Sequence, residues 1–304
     1  MKLLVTGSSG FVAGSVLAQA PRDWEIHAVS RRDISNALPG VYWHIRDDAL
    51  VPGSVSELFD RIQPDALIHT AAIADIDLAE RDQQLGRAVN VQMTQTLVSA
   101  CSASDCKLVF CSTDTIFDGE HAPYREEDPP EPVNYYAHTK LEAERAVLPL
   151  ANQAVIARLA LVAGLPLLGS GNSFVARLLA ILKAGGRITV AAPHEIRRPI
   201  DVVTAGAALL ELAGDDRHGI FHLAGNDSLN RLELTKRVVA KLGYPVELVT
   251  PLEAKPDPNR AKRPRDVSLD NSKARAQLKT PMRSFDEGLS LMLERAGYLP
   301  AKIS

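Results

Sequence analysis

Short apolar runs alternate with helix-length stretches through the first half of this chain, and that alternation constrains the fold more than any other feature. Runs at 2–5, 25–29, 66–69, 107–111 and 155–161 read as strands, and each but the last precedes a turn rich in Gly, Ser, Asp or Ala. Helical patterns lie between them at 11–19, 55–62, 85–103 and 135–148. Strands that alternate with helices build βαβ units around a parallel sheet. The expected fold is therefore α/β, a doubly wound parallel sheet of the Rossmann type. In SVSELFDRI, Ser54 precedes Glu57 by three residues, a capping-box spacing that predicts a helix start.

After residue 161 the pattern changes. GSGNSFVARLLAILKAGG reads as one amphipathic helix with Ser or Asn as cap and a Gly-Gly stop, and further helices are predicted at 203–213, 231–242 and 285–296. GIFHLAG at 219–225 reads as one more buried strand. A dinucleotide-binding domain is expected over 1–165, with 200–223 returning to it. A smaller α/β substrate-binding domain takes 166–199 and 224–304, its loops closing over the first.

The bulk numbers narrow the partners. With 304 residues, 46% hydrophobic and 23% charged, the chain can bury a large core. A formal charge of -3 supplies no basic field for nucleic acid or an anionic membrane, so small molecules are the expected partners. The basic run Lys255, Arg260, Lys262, Arg263 and Arg265 is broken up by prolines and acids. No apolar run reaches about 18 residues, and strand-like sequence starts at Lys2 without the features of a leader, so a cytoplasmic protein is expected. Cys101, Cys106 and Cys111 lack Cys-x-x-Cys spacing and the histidines are scattered. Reduced, buried thiols and no structural metal follow.

The first predicted strand ends in TGSSGFVAG, with Gly7 and Gly10 directly before a helix and Ala13 at a third small position. Small residues there let the backbone approach a pyrophosphate, whose charge sits against free N–H groups at the helix start. At the end of the second strand a carboxylate would bind the ribose diol of NAD, but this chain has Ser30, Arg31 and Arg32. Guanidinium groups suit a 2′-phosphate, so NADP(H) is expected in preference to NAD(H). Asp47 or Asp48, after the third strand segment, is the candidate for the adenine.

NYYAHTK at 134–140 carries two tyrosines and a lysine. At about 3.6 residues per turn, Tyr136 and Lys140 project from nearly one face, while Tyr135 points away as a packing or pocket-lining residue.

Taken together, TGSSGFVA, IHTAAIADIDLAE, the Asn of AVNVQ, CSTDTIFDG, PYREEDPPEPVNYYAHTKLEAE, RPRDVSLDNSK and FDEGL resemble the extended short-chain dehydrogenase/reductase superfamily, in particular the dTDP-4-dehydrorhamnose reductase family. The resemblance spans nearly the whole chain. It implies an NADPH-dependent reductase of a nucleotide-activated 4-keto-6-deoxy sugar, with Thr113 on the reacting carbonyl, Tyr136 as acid and Lys140 as its tuning base and ribose ligand. Ordinary chemistry agrees, since a tyrosine is a poor donor at neutral pH until a cation lowers its pKa. Further implied cofactor contacts are Ser9, Phe11, Val12, Ala71, Ala72 and Asn90, the last also readable as a helix cap or buried polar residue. Implied substrate contacts are Asp114, Asn172, Arg198 and Arg263, the last for a diphosphate. A homodimer is the candidate assembly.

Three departures bear on the substrate. Arg158-Leu159-Ala160-Leu161 replaces the family's Arg-Thr-Ser-Trp-like stretch and its aromatic wall, Ala137 follows Tyr136 where Gly is usual, and EIRRPI brings two arginines to a segment usually neutral. Thr115 after Thr113-Asp114 disfavours the sugar dehydratases, which carry Glu there. A nucleotide-sugar epimerase and a non-catalytic regulatory subunit resembling the methionine adenosyltransferase β subunit are the alternatives.

Overall fold

The computed structural model describes residues 1–31, 38–46, 52–168, 173–252 and 260–298; Arg32, Asp47, Asp48 and Asn172 lie outside them. Strand β1 (Lys2–Thr6) passes through the glycine turn into α1 (Phe11–Gln19), followed by β2 (Glu25–Ser30), β3 (Val41–Ile45), α2 (Pro52–Ile62) and β4 (Ala66–His69). Helices α3 (Ile76–Arg81), α4 (Gln83–Arg87) and α5 (Met93–Ser104) come next, then β5 (Lys107–Thr113), α6 (Tyr135–Val147) and β6 (Ala154–Leu159). The chain continues through β7 (Val162–Ala163), α7 (Phe174–Lys183), β8 (Ile188–Ala191), β9 (Ile196–Arg197), β10 (Ile200–Asp201) and α8 (Val202–Ala213). It ends with β11 (Gly219–Leu223), β12 (Leu229–Asn230), α9 (Arg231–Lys241), β13 (Val249–Leu252), α10 (Ser272–Gln277) and α11 (Phe285–Arg295).

Seven strands form the central sheet in the order β11-β6-β5-β4-β1-β2-β3, and every pairing is parallel. Alternate residues of each strand serve opposite faces. Leu3, Val5, Ile68 and Val109 pack with α1 and α8 on one side, while Leu4, Leu67, Leu108 and Phe110 pack with α2, α5 and α6 on the other. The fold is thus α/β and doubly wound. Strand order reverses between β1 and β4, which opens a crevice at their carboxyl ends.

Helix α8 lies against α1 so closely that a Cβ on Gly206 would come within 2.7 Å of the Ser15 hydroxyl, which donates to the Val202 carbonyl at 2.7 Å. Strand β11 then joins the sheet edge beside β6. Helices α7, α9 and α11 gather a separate apolar cluster around Val175, Leu234, Val238 and Leu289, with β8 paired to β13 and β9 to β12. No helix among the described residues is long and apolar enough to cross a membrane.

Two local expectations need correction. Helix α2 begins at Pro52, so Ser54 lies inside it and its hydroxyl accepts from Arg46 at 3.1 Å instead of capping the start. The run expected as one helix over 85–103 is interrupted by a π-helical turn, Ala88–Gln92, between α4 and α5. A π turn re-aims side chains, and here it carries Asn90. The three cysteines are buried free thiols.

Candidate active site

Gly7 sets the crevice. Its φ is +71°, and a Cβ there would fall 2.7 Å from the Ala71 backbone and 2.9 Å from the Thr70 hydroxyl. The Gly10 amide donates back to the Gly7 carbonyl at 2.7 Å, closing the turn directly before α1. A cavity of about 230 Å³ opens there, lined by Gly7, Ser9, Gly10, Ser30, Arg31, Ala71 and Ala72. Arg46, a residue that the sequence reading missed, lines it too. Its amide donates to the Ser30 carbonyl at 2.8 Å, so pairing of β3 with β2 delivers it beside Arg31. A glycine cradle that no side chain could occupy, in a cavity lined also by Arg31 and Arg46, fits a dinucleotide.

Two of the expected cofactor contacts have side chains turned elsewhere. The Phe11 ring packs toward Gly164 and the α7–α9 cluster. Asn90 is fully buried, its oxygen accepting from the Ile73 amide at 2.8 Å and its nitrogen donating to the Thr139 hydroxyl at 2.9 Å. With both ends of its amide committed, Asn90 ties the loop after β4 to α6 and does not line the crevice.

A larger cavity of about 780 Å³ continues from the first, sharing Thr70 and Ala72 with it. One wall combines Thr113 at the end of β5 with Tyr136 and Lys140 on α6. Asn134 caps α6, its oxygen accepting from the Ala137 amide at 2.9 Å, which fixes the register. Tyr136 therefore faces the cavity, while the ring of Tyr135 turns to α4, 3.5 Å from where a Gly86 Cβ would stand. Thr113 shares a 3.0 Å hydrogen bond with Thr115 and donates to Asp114 at 3.3 Å.

Burial dominates the electrostatics of this wall. It pushes the Tyr136 hydroxyl up to about 12, against a hydrogen bond with Thr113 that pulls it down. It lowers the Lys140 ammonium to about 8, with Cys111 and Glu144 acting to raise it. Lys140 is not among the groups that shift Tyr136; its ammonium stands 4.0 Å above the Phe110 ring. Asp114 also lines the cavity; burial raises its carboxyl to about 6, and its Oδ2 is buried without a partner among the described residues. Behind the wall, Glu144 takes the Arg158 guanidinium at 2.9 Å in a fully buried ion pair.

The opposite wall is cationic. Arg177, Arg197, Arg231, Arg260 and Arg263 line it beside Phe174 and Glu195. Arg198 does not: its guanidinium donates to the Leu269 carbonyl at 2.8 Å and the Asn226 carbonyl at 3.2 Å. Neighbours in extended chain point to opposite sides, so one residue of register puts Arg197 in the cavity and Arg198 in the framework. Arg263 lines the cavity, yet both its terminal nitrogens are held by the Asp77 carboxylate of α3, at 2.9 and 2.8 Å. Arg197 and Arg231 had no signal in the sequence beyond their charge, because only the folded chain brings β9 and α9 together.

Residues 1–297 match the family model described as RmlD substrate binding domain. A dTDP-4-dehydrorhamnose reductase of Mycolicibacterium smegmatis is 30% identical over 292 residues, covering 95% of this chain and 84% of that protein. The methionine adenosyltransferase 2 subunit beta of Danio rerio is 27% identical over 278 residues, covering 90% of this chain and 83% of that one. The crystal structure of dTDP-4-dehydrorhamnose reductase from Bacillus anthracis in complex with NADP superimposes with a TM-score of 0.84 at 23% identity, covering 96% of this chain and 98% of that one.

Proposed function

The chain belongs to the RmlD substrate binding domain family, and from that premise we propose that it is an NADPH-dependent reductase of a nucleotide-activated 4-keto-6-deoxy sugar. One observation carries the reading: Thr113, Tyr136 and Lys140 line one cavity that shares Thr70 and Ala72 with the Gly7 crevice. NADPH would be held by the turn at Gly7 and Gly10, with Arg31 and Arg46 available for its extra phosphate, and would supply the hydride.

The chain's own residues manage the oxygen. The Thr113 hydroxyl turns its single proton from Asp114 to the C4 carbonyl and holds it against Tyr136. As the carbonyl carbon accepts hydride, its oxygen gains negative charge and takes the Tyr136 proton. The height of the Tyr136 pKa, about 12, favours this direction: the hydroxyl is fully protonated at neutral pH, and the forming alkoxide is a stronger base than the phenolate left behind. Lys140, cationic below about pH 8, balances that phenolate until it is reprotonated. Leu161 in the cavity wall, where relatives carry an aromatic ring, makes the sugar's apolar face meet an aliphatic surface. That change favours a sugar other than 4-dehydrorhamnose.

The test is NADPH oxidation over a panel of nucleotide-activated 4-keto sugars. Turnover with at least one sugar is expected. NADPH binding without oxidation of any panel member would sink the reading, and stable capture of a larger partner enzyme in its place would favour a regulatory subunit. Inversion of a sugar centre without net cofactor consumption would mark an epimerase.

A further inference from the structure

Five arginines line the cationic wall, and they differ in how far their donors are already committed. Arg263 gives both terminal nitrogens to Asp77 and one of them also to the Ala261 carbonyl at 2.6 Å. Arg197 donates to the Ile196 carbonyl at 2.7 Å, the Arg265 carbonyl at 3.2 Å and Glu195 at 3.1 Å. Arg260 takes the other Glu195 oxygen at 3.3 Å. Arg177 also has an interaction of its own. Arg231 is different. Its guanidinium carbon stands 4.8 Å over the Phe174 ring, and its side chain forms no hydrogen bond or ion pair with any described residue.

A guanidinium stacked on an aromatic ring keeps its N–H donors in its own plane, directed away from the ring edge. Arg231 lines the cavity, so its side-chain donors, taken by no described residue, are within reach of what enters it. The charge is only partly compensated: burial disfavours the Arg231 cation, Glu195 supports it, and Arg197, Arg177 and Arg260 oppose it, while both Glu195 oxygens are engaged by other arginines. A bidentate oxyanion acceptor is the group this site lacks.

We propose that Arg231, set by its stack on Phe174, is the residue that receives the diphosphate of the substrate, and that Arg263, placed for that task by family position, serves as a strut. Through Asp77 and the Ala261 amide, which donates to the same carboxylate at 2.9 Å, Arg263 pins the 260–265 segment to α3. The proposal rests on the nucleotide-sugar reading above, but its test does not depend on turnover.

NADP-saturated protein is titrated calorimetrically with thymidine diphosphate and, separately, with inorganic pyrophosphate. Arg231→Gln should weaken both by about ten- to hundredfold, as loss of charge-assisted bonds does, while NADPH affinity and melting temperature stay at wild-type values. Arg231→Lys keeps the charge without the fork and should fall in between; it decides the matter if the glutamine variant does not fold. Arg263→Gln should leave both affinities within a few-fold. Wild-type binding by Arg231→Gln, a larger loss in Arg263→Gln than in Arg231→Gln, or no binding of either probe to the NADP-loaded wild type would overturn the assignment. The reductase reading fails separately, on absence of substrate-dependent NADPH oxidation.

Discussion

The two walls of the cavity are built in opposite ways. The catalytic wall comes from adjacent pieces of regular structure, the end of β5 and the first turns of α6, and Thr113, Tyr136 and Lys140 are at most 8% exposed. The arginine wall is assembled from α7, β9, α9 and the 260–265 segment, with Arg197 and Arg260 held by the Glu195 carboxylate and Arg263 by that of Asp77. Rigid sheet and helix fix atoms to the tolerance that proton transfer needs, whereas an anion can be held by charges gathered from several loops. The difference teaches that one wall should govern turnover and the other binding.

Each expectation below would sharpen or break that division. The largest effect should come from Tyr136→Phe, which removes the acid and keeps the ring: kcat should fall by about 10²- to 10⁴-fold with NADPH affinity retained. Tyr135→Phe, turned toward α4, should stay within roughly tenfold of wild type. If Tyr135→Phe were the inactive variant, the division would fail at its strongest point.

Support behind the walls should differ as well. Glu144→Ala leaves the Arg158 cation buried and unpaired, so denaturant unfolding should show a loss of about 3–5 kcal/mol. Asp77→Ala removes a partly exposed ion pair from the arginine wall and should cost about 1 kcal/mol at most. Equal losses would mean that the clasp on Arg263 is as structural as the buried pair.

At the cofactor end, Arg31→Ala with Arg46→Ala should weaken NADPH by about ten- to hundredfold and leave NADH nearly unchanged. Fluorescence titration with both cofactors reads this directly, and equal weakening of the two would refute a role in phosphate selection.

The smallest effect is a pH limb. Burial lowers the Lys140 pKa to about 8, below its unfolded value, so the folded protein releases this proton first as pH rises. Between about 8 and the ordinary lysine range the unfolded chain binds more protons, and the Lys140 contribution to stability therefore rises with pH. Activity should move the other way: kcat should turn down as pH passes about 8, when the cation beside Tyr136 is lost. Glu144→Gln removes a charge that raises this pKa and should shift the limb to lower pH. A profile flat through pH 8 in both proteins would remove Lys140 from the chemistry.

What the sequence determined on its own was whatever repeats locally. Apolar runs alternating with helical stretches set the doubly wound sheet, the glycines of the first turn set the crevice, and an i, i+4 spacing chose Tyr136 over Tyr135. Tertiary structure decided the rest. Arg197 faces the cavity and Arg198 does not because a two-residue strand pairs in one register, and a short strand carries no periodicity from which that register could be read. Arg46 reaches the crevice only through sheet pairing, and Asp77 meets Arg263 across 186 residues. Asn90 looks like a cofactor ligand until the π turn sends it to Thr139, and the reach of Lys140 toward Tyr136 depends on how deeply both are desolvated. Local spacing fixes which face of an element a side chain takes; only packing fixes what that face meets and how much water is left there.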